Sequence, residues 1–480
     1  MKKLLVVLLS LGLIVAFSAT ASAAVDVKFG GSYYVVGAYE SNPLLTPGDE
    51  AGYNHYSQAF FFQRVRLQPV FAIAEGLTFT ARFDALEKQW GNTNWKGGTD
   101  DTTFSRRSIN VVGAAAPAAG TLQQNQKIQE SIEFERAYVT FMTGIGMFQV
   151  GYQNVDDWGT DFGDYSYSRP RIAYVTKAGP LTLGLTYEKV FENANANVAA
   201  PKLHATDADK DTYALTGIYN GKGIEAGLLL KYYAFNDSKP SGAKTTMNLV
   251  SPYVKATFGP LYVEGEATYW FGKYAQYELP APVGTPDIDL KAWSAYIKGK
   301  FTMGPAYVGA AFSYASGNDL TDATKNTTAP SGGGTNWSPA LILLNDWYTT
   351  WNQGVSSPSS PALSAANPVT SNKYNTIIYN GFVGFDPTPK LNVEAALTYA
   401  TVAEKALSVA GGVVTAADSD KLGTEFDVSL TYKIYDNLTY MVGAGYLWTG
   451  DYFRGATAAG ATPLKIDNDY ILMNKLTLSF

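Results

Sequence analysis

The chain has 480 residues, 36 of them lysine or arginine and 42 acidic, for a formal charge of -6, with 33 tyrosines, 46 glycines and no cysteine. The missing cysteine excludes disulfides, thiolate metal sites and a lipid anchor at a processing site. Net acidity argues against nucleic acid as a partner.

Met1-Lys2-Lys3, an apolar run from Leu4 to Phe17 and Ala21-Ser22-Ala23 form the three regions of a cleavable secretory signal, residues 1–23. The apolar run is too short to span a bilayer comfortably, and no later stretch approaches the roughly 20 apolar residues of a membrane helix. Without Lys2 and Lys3 the balance is 34 basic against 42 acidic, or -8. The mean hydropathy of -0.09 is that of a soluble protein, but a barrel hides its membrane character because only alternate residues face lipid.

Period-two segments predict strands near 25–40, 57–73, 77–90, 131–143, 147–153, 168–177, 181–190, 211–219 and 224–235. Nine more follow near 247–258, 261–271, 290–301, 305–315, 374–385, 390–400, 424–435, 438–449 and 468–480. Tight turns at Glu75-Gly76, Gly144 to Gly146, Gly179-Pro180, Asn220 to Gly223, Gly259-Pro260, Gly304, Asp386 to Pro389 and Asp436-Asn437 alternate with long polar connections. That alternation predicts an all-β fold, one transmembrane antiparallel β-barrel over 24–480, with short periplasmic turns and long extracellular loops. Eighteen strands are expected, with sixteen the alternative because 147–153 is short.

Around the first turn, Phe61, Val65, Leu67, Phe71, Ile73, Leu77, Phe79, Ala81, Phe83 and Ala85 share the lipid parity. Arg64, Arg66, Arg82 and Asp84 take the other, predicting a polar and open lumen. Lumen parity elsewhere includes Arg136, Arg169, Arg171, Glu188, Glu225, Lys231, Lys255, Glu264, Glu266, Lys298, Lys300, Glu394, Glu425 and Asp427. Six of the nine arginines fall on the second, third, fourth and sixth strands. They make either a positive wall that favours anions or a set paired with Asp84 and nearby carboxylates for stability.

Between the fifth and sixth strands, residues 154–167 carry Asp156, Asp157, Asp161 and Asp164 around Gly159-Thr-Asp-Phe-Gly163. In this loop, the signal, the alternating connections and the terminal aromatic Phe480, the whole chain resembles the general-diffusion porins of Gram-negative outer membranes. The resemblance implies that this loop folds inward as a constriction facing arginines on the wall. It implies that Phe480 is the assembly signal read by the barrel-insertion machinery, and that the surroundings are outer-membrane lipid and lipopolysaccharide. A solvated acidic loop or a weak calcium site remains open for the same aspartates. The chain is longer than most sixteen-strand general porins, and Trp270, Tyr262, Tyr253 and Tyr233 form only a local aromatic group rather than the file of sugar-selective relatives.

Long loops at about 91–130, 191–210 and 316–373 suit the extracellular side. Within the last, Pro339 to Trp351 is too apolar for water and is expected to pack into the barrel mouth or on a neighbour, as a short helix or plug. Gly31, Gly37, Ala59, Gln63, Ala81, Ala85, Glu135 and Ala137 share lipid parity on the early strands, which suggests a homotrimer through them; a bulge turning Glu135 inward is the rival account.

Only His55 and His204 exist, so neither a histidine metal cluster nor a serine triad is expected, and no cofactor or catalytic residue is assigned. Ser241 to Thr245 lacks the glycine spacing of a phosphate loop. The expected function is passive diffusion of small hydrophilic solutes and ions through a water-filled channel. The rivals are an anion-selective specific channel and a barrel scaffold or sheath for a partner protein.

Overall fold

A computed structural model describes residues 25–43, 45, 57–90, 132–155, 157–164, 167–192, 209–237, 243–277, 286–330, 334, 337–345, 373–410, 413–454 and 465–480. The segment 1–23, Asp156, the two histidines, residues 346–351 and most of the long loops lie outside these.

Eighteen strands form the wall. They are β1 (Asp26–Glu40), β2 (Gln58–Ala74), β3 (Leu77–Gln89), β4 (Ile132–Thr143), β5 (Gly146–Val155), β6 (Tyr167–Ala178), β7 (Leu181–Phe191), β8 (Lys210–Gly221) and β9 (Ile224–Phe235). The second half is β10 (Lys244–Phe258), β11 (Leu261–Gln276), β12 (Ile288–Met303), β13 (Ala306–Ala315), β14 (Thr376–Thr388), β15 (Leu391–Val402), β16 (Lys421–Tyr435), β17 (Leu438–Thr449) and β18 (Asp469–Ser479). Each pairs antiparallel with the next. The sheet closes through β18 on β1, in register from Ser32 opposite Ser479 to Glu40 opposite Ile471. Gly31 and Phe480 exchange two further backbone hydrogen bonds, of 2.8 and 3.1 Å. Closure leaves no unpaired edge in lipid, and β5, with ten residues, removes the reason for counting sixteen.

All eight periplasmic connections are two-residue turns. Gly179, Gly259 and Gly304 each precede proline with φ near +60°, the glycine-first solution that matches strand twist. On the outer face, alternate side chains such as Leu181, Leu183 and Leu185 on β7 are exposed, as lipid contact requires.

Two expectations change. Between Arg82 opposite Arg136 and Phe83 opposite Phe134, a bulge turns Glu135 into the lumen, where it is buried and paired with Arg82. Small residues on the early outer face also have an intrachain reason. A Cβ on Gly31 would meet the Phe480 ring, one on Gly37 would meet the Phe61 ring, and Gln63 accepts a 2.8 Å hydrogen bond from Trp90 Nε1.

The largest buried apolar cluster lies inside the barrel. Tyr34, Val36, Phe62, Ile378, Ala400, Leu447, Ile471 and Met473 point inward from β1, β2, β14, β15, β17 and β18. They pack on residues of the β13–β14 connection, so the lumen is apolar on one side rather than polar throughout. Strands apolar on both faces give no parity contrast.

Candidate functional site

Residues 157–164 leave β5, turn inward and dock on the β10–β12 wall. Thr160 donates its backbone N–H and its hydroxyl to Glu266 Oε2, at 2.8 and 2.9 Å. Trp158 Nε1 donates to the Ser251 carbonyl at 3.1 Å, and its ring meets Tyr253 edge-on at 5.1 Å. Phe162 stacks flat on Tyr296 at 5.1 Å and sits edge-on to Trp337 at 5.5 Å. Gly159, at φ +73°, and Gly163 must both lack a Cβ, because the Glu266 carboxylate occupies that space. The Gly159 to Gly163 run noted in the sequence is therefore shaped around one wall glutamate.

Of the four loop aspartates, Asp157 accepts a 2.6 Å hydrogen bond from Asn154 Nδ2, Asp161 is exposed, Asp164 is half-buried and Asp156 lies outside the described residues.

Most of the arginine wall is paired. Arg66 makes a two-pronged contact with Asp84, 2.7 and 2.6 Å. Arg64 lies 3.7 Å from Asp84 and 3.5 Å from Glu87, with its guanidinium 4.9 Å from the Tyr34 ring centre. Arg82 meets Glu135 at 3.0 Å, and Arg171 lies 4.0 Å from Glu188 and 3.3 Å from Gln153 Oε1. Arg136 and Arg169 have no ion pair among the described residues; Arg169 rests over the Tyr167 ring at 5.4 Å. Two carboxylates escaped the sequence parity, Glu135 through its bulge and Glu87 through Leu86, whose φ of +56° marks a second irregularity. Such bulges are visible only from the register of the partner strand.

On the facing wall, Glu264 accepts hydrogen bonds from Tyr262 and Tyr296, 2.7 and 3.0 Å, and lies 3.4 Å from Lys298 Nζ. Lys300 stands over Tyr307 at 5.3 Å. Both lysines line a cavity of about 510 Å³ with Asn380, Asn392 and Glu394.

A second connection also enters the barrel. The backbone N–H groups of Leu341, Ile342 and Leu343 all point at the Glu425 carboxylate, at 2.9, 2.7 and 2.7 Å. The Pro339 carbonyl accepts from Asn380 Nδ2 and Thr398 Oγ1, 3.1 and 2.9 Å. Ile342, Leu343 and Leu344 are fully buried against the apolar side of the lumen. Of the segment Pro339 to Trp351, residues 339–345 form bends and a turn inside the barrel, and 346–351 lie outside the described residues. The two entering segments touch: Gly334 donates its N–H to the Phe162 carbonyl, and Trp337 packs on Phe162 and Tyr296.

No protein of curated function matches the sequence. Residues 10–338 match the family model described as Gram-negative porin. Among solved structures, Pseudomonas aeruginosa OccK8 (OprE) is similar at 10% identity, covering 94% of this chain and 98% of that one, with a TM-score of 0.48. The anion-selective porin from Comamonas acidovorans is similar at 10% identity over 95% and 100% of the chains, TM-score 0.43. Pseudomonas aeruginosa OccK2 (OpdF) in complex with glucuronate is similar at 11% identity over 95% and 97%, TM-score 0.48.

Proposed function

The chain belongs to the Gram-negative porins, channels of the bacterial outer membrane, and from that premise we propose that residues 157–164 and 337–345 together set its aperture. Small hydrophilic solutes and ions diffuse passively through the water left between these segments and the arginine wall. The family is one of channels rather than enzymes.

The observation that carries the proposal is the docking of the acidic loop on Glu266, across the lumen from the strands where it begins. A loop held there carries the exposed Asp161 to the β11–β12 wall and leaves the arginines of β2 to β4 facing it, while Arg169 stays beside the loop. The resulting transverse field orients dipolar solutes and penalises ions of either sign less than apolar molecules, which must strip ordered water to pass. Because Arg64, Arg66 and Arg82 are neutralised by their carboxylates, selectivity rests on Arg136, Arg169 and Arg171, whose Glu188 also pairs with Lys231 at 3.0 Å. This supports a mild anion preference.

Cleavage after Ala23, recognition of Phe480 by the insertion machinery, lipopolysaccharide around the outer rim and a homotrimer belong to the same reading. The trimer has lost Glu135 as support. Reconstitution in planar bilayers under a salt gradient tests the function: open ohmic steps with a reversal potential on the anion side are expected, and a membrane that stays silent contradicts it.

A further inference from the structure

The cleft between the inward loop and the wall of β9–β12 differs in chemistry from the rest of the passage. It encloses about 300 Å³, the lower end of the range for small-molecule clefts. Rings dominate its lining: Trp158 and Phe162 from the loop, Tyr167 from β6, Tyr233 and Phe235 from β9, Trp270 from β11. Of the local aromatic group visible in the sequence, Tyr233 and Trp270 line the cleft, where two loop residues join them. Several of these rings are fixed by one another or by the wall. Tyr233 and Phe235 meet edge-on at 5.6 Å, and Trp158 is held by Ser251 and Tyr253. Fixed faces bind a ring with little entropy left to lose.

Charge decides what kind of ring. Glu266 lines the cleft, but its Oε2 already accepts two bonds from Thr160, and its Oε1 faces the Ser251 hydroxyl at 3.4 Å. Its acceptors are turned into the loop. Arg169 is the one cation in the lining, and it has no ion pair among the described residues. A guanidinium offers parallel donors that match a carboxylate in two-pronged fashion. Ser251, Thr268 and Ser294 add hydroxyls around the rings. Arg169 stands near the start of β6, at the end away from the tight Gly179-Pro180 turn.

We propose that this cleft is a binding subsite for small ring-bearing monocarboxylates, with the ring between the loop and wall aromatics and the carboxylate on Arg169. The proposal rests on the reading of the chain as an open channel only for the route by which solute arrives. Occupancy makes transport of such acids saturable while small inorganic ions pass ohmically.

The test uses the full-length protein with benzoate, acetate and benzyl alcohol as probes, which carry ring and charge, charge alone and ring alone. Tryptophan fluorescence in detergent micelles measures binding without requiring current, and bilayer recordings then measure block. Benzoate should quench saturably and bind at least about tenfold more tightly than either partial probe, the scale of one charge-assisted hydrogen bond. Arg169→Gln should cut benzoate affinity about tenfold and leave benzyl alcohol unchanged. Equal affinity for benzoate and acetate, or unchanged benzoate binding in Arg169→Gln, overturns the subsite. If that variant does not fold, the three-probe comparison on the wild type decides alone. Binding in micelles without current in bilayers contradicts the channel reading and keeps the subsite; ohmic current without discrimination among the probes does the reverse.

Discussion

Two segments enter the lumen, and each hangs from a wall glutamate through its own backbone. Residues 157–164 give Glu266 one N–H and one hydroxyl, with glycines on both sides so that the chain can lie on the carboxylate. Residues 341–343 give Glu425 three N–H groups, and the side chains of Ile342, Leu343 and Leu344 are buried beside them. The first attachment is polar, holds exposed Asp161 at the passage and leaves a cleft beside it. The second fills one side of the barrel with apolar packing. The difference teaches that the same device, a carboxylate gathering peptide donors, narrows a channel when the loop is acidic and seals part of it when the loop is apolar.

Removing the anchors breaks the comparison most strongly. Glu425→Ala strands three buried donors and should cost more than about 3 kcal/mol locally, since bonds to charged groups contribute about 1.5–3 kcal/mol each. The plug then leaves the lumen, and single-channel conductance should rise severalfold. Glu266→Ala removes two bonds and leaves the aromatic contacts of Phe162 and Trp158, so conductance should rise less; Gly163→Val should act in the same direction by displacing the loop from the carboxylate.

Charge changes sharpen the comparison with smaller effects. A unit charge about 7 Å from an ion in water is worth about 0.6 kcal/mol, close to RT. The charge attracts an anion and repels a cation alike, so neutralising Arg136 or Arg169 with glutamine should move the anion-to-cation permeability ratio by up to about sevenfold toward cations, read from the reversal potential in a salt gradient. The smallest effect is expected for the double change Arg66→Gln with Asp84→Asn, which removes a neutral pair and should leave that potential unchanged.

Much of the fold was legible because it depends on local pattern. Period two placed all eighteen strands, and glycine-proline dipeptides such as Gly179-Pro180 marked the tight rim. Phe480, the terminal aromatic, pairs with Gly31 where β18 closes the sheet on β1. The site was legible only in part. The glycines around Thr160 to Phe162 were visible, but their partner Glu266 lies 106 residues away, and Glu425 lies 83 residues from Ile342. Nothing in a strand's own alternation distinguishes a lumen carboxylate that faces water from one that holds a loop. Glu135 and Glu87 were hidden for a related reason, since a bulge reverses the parity that assigns a face. The basic wall consequently read as more positive than its paired geometry makes it.

The central claim, an aqueous passage narrowed by a loop docked on Glu266, is tested most directly by single-channel conductance of the wild type beside Glu266→Ala in one bilayer series. Open channels in both, with the larger conductance in the variant, are the predicted result. A silent wild type, or equal conductance in the two, would contradict it.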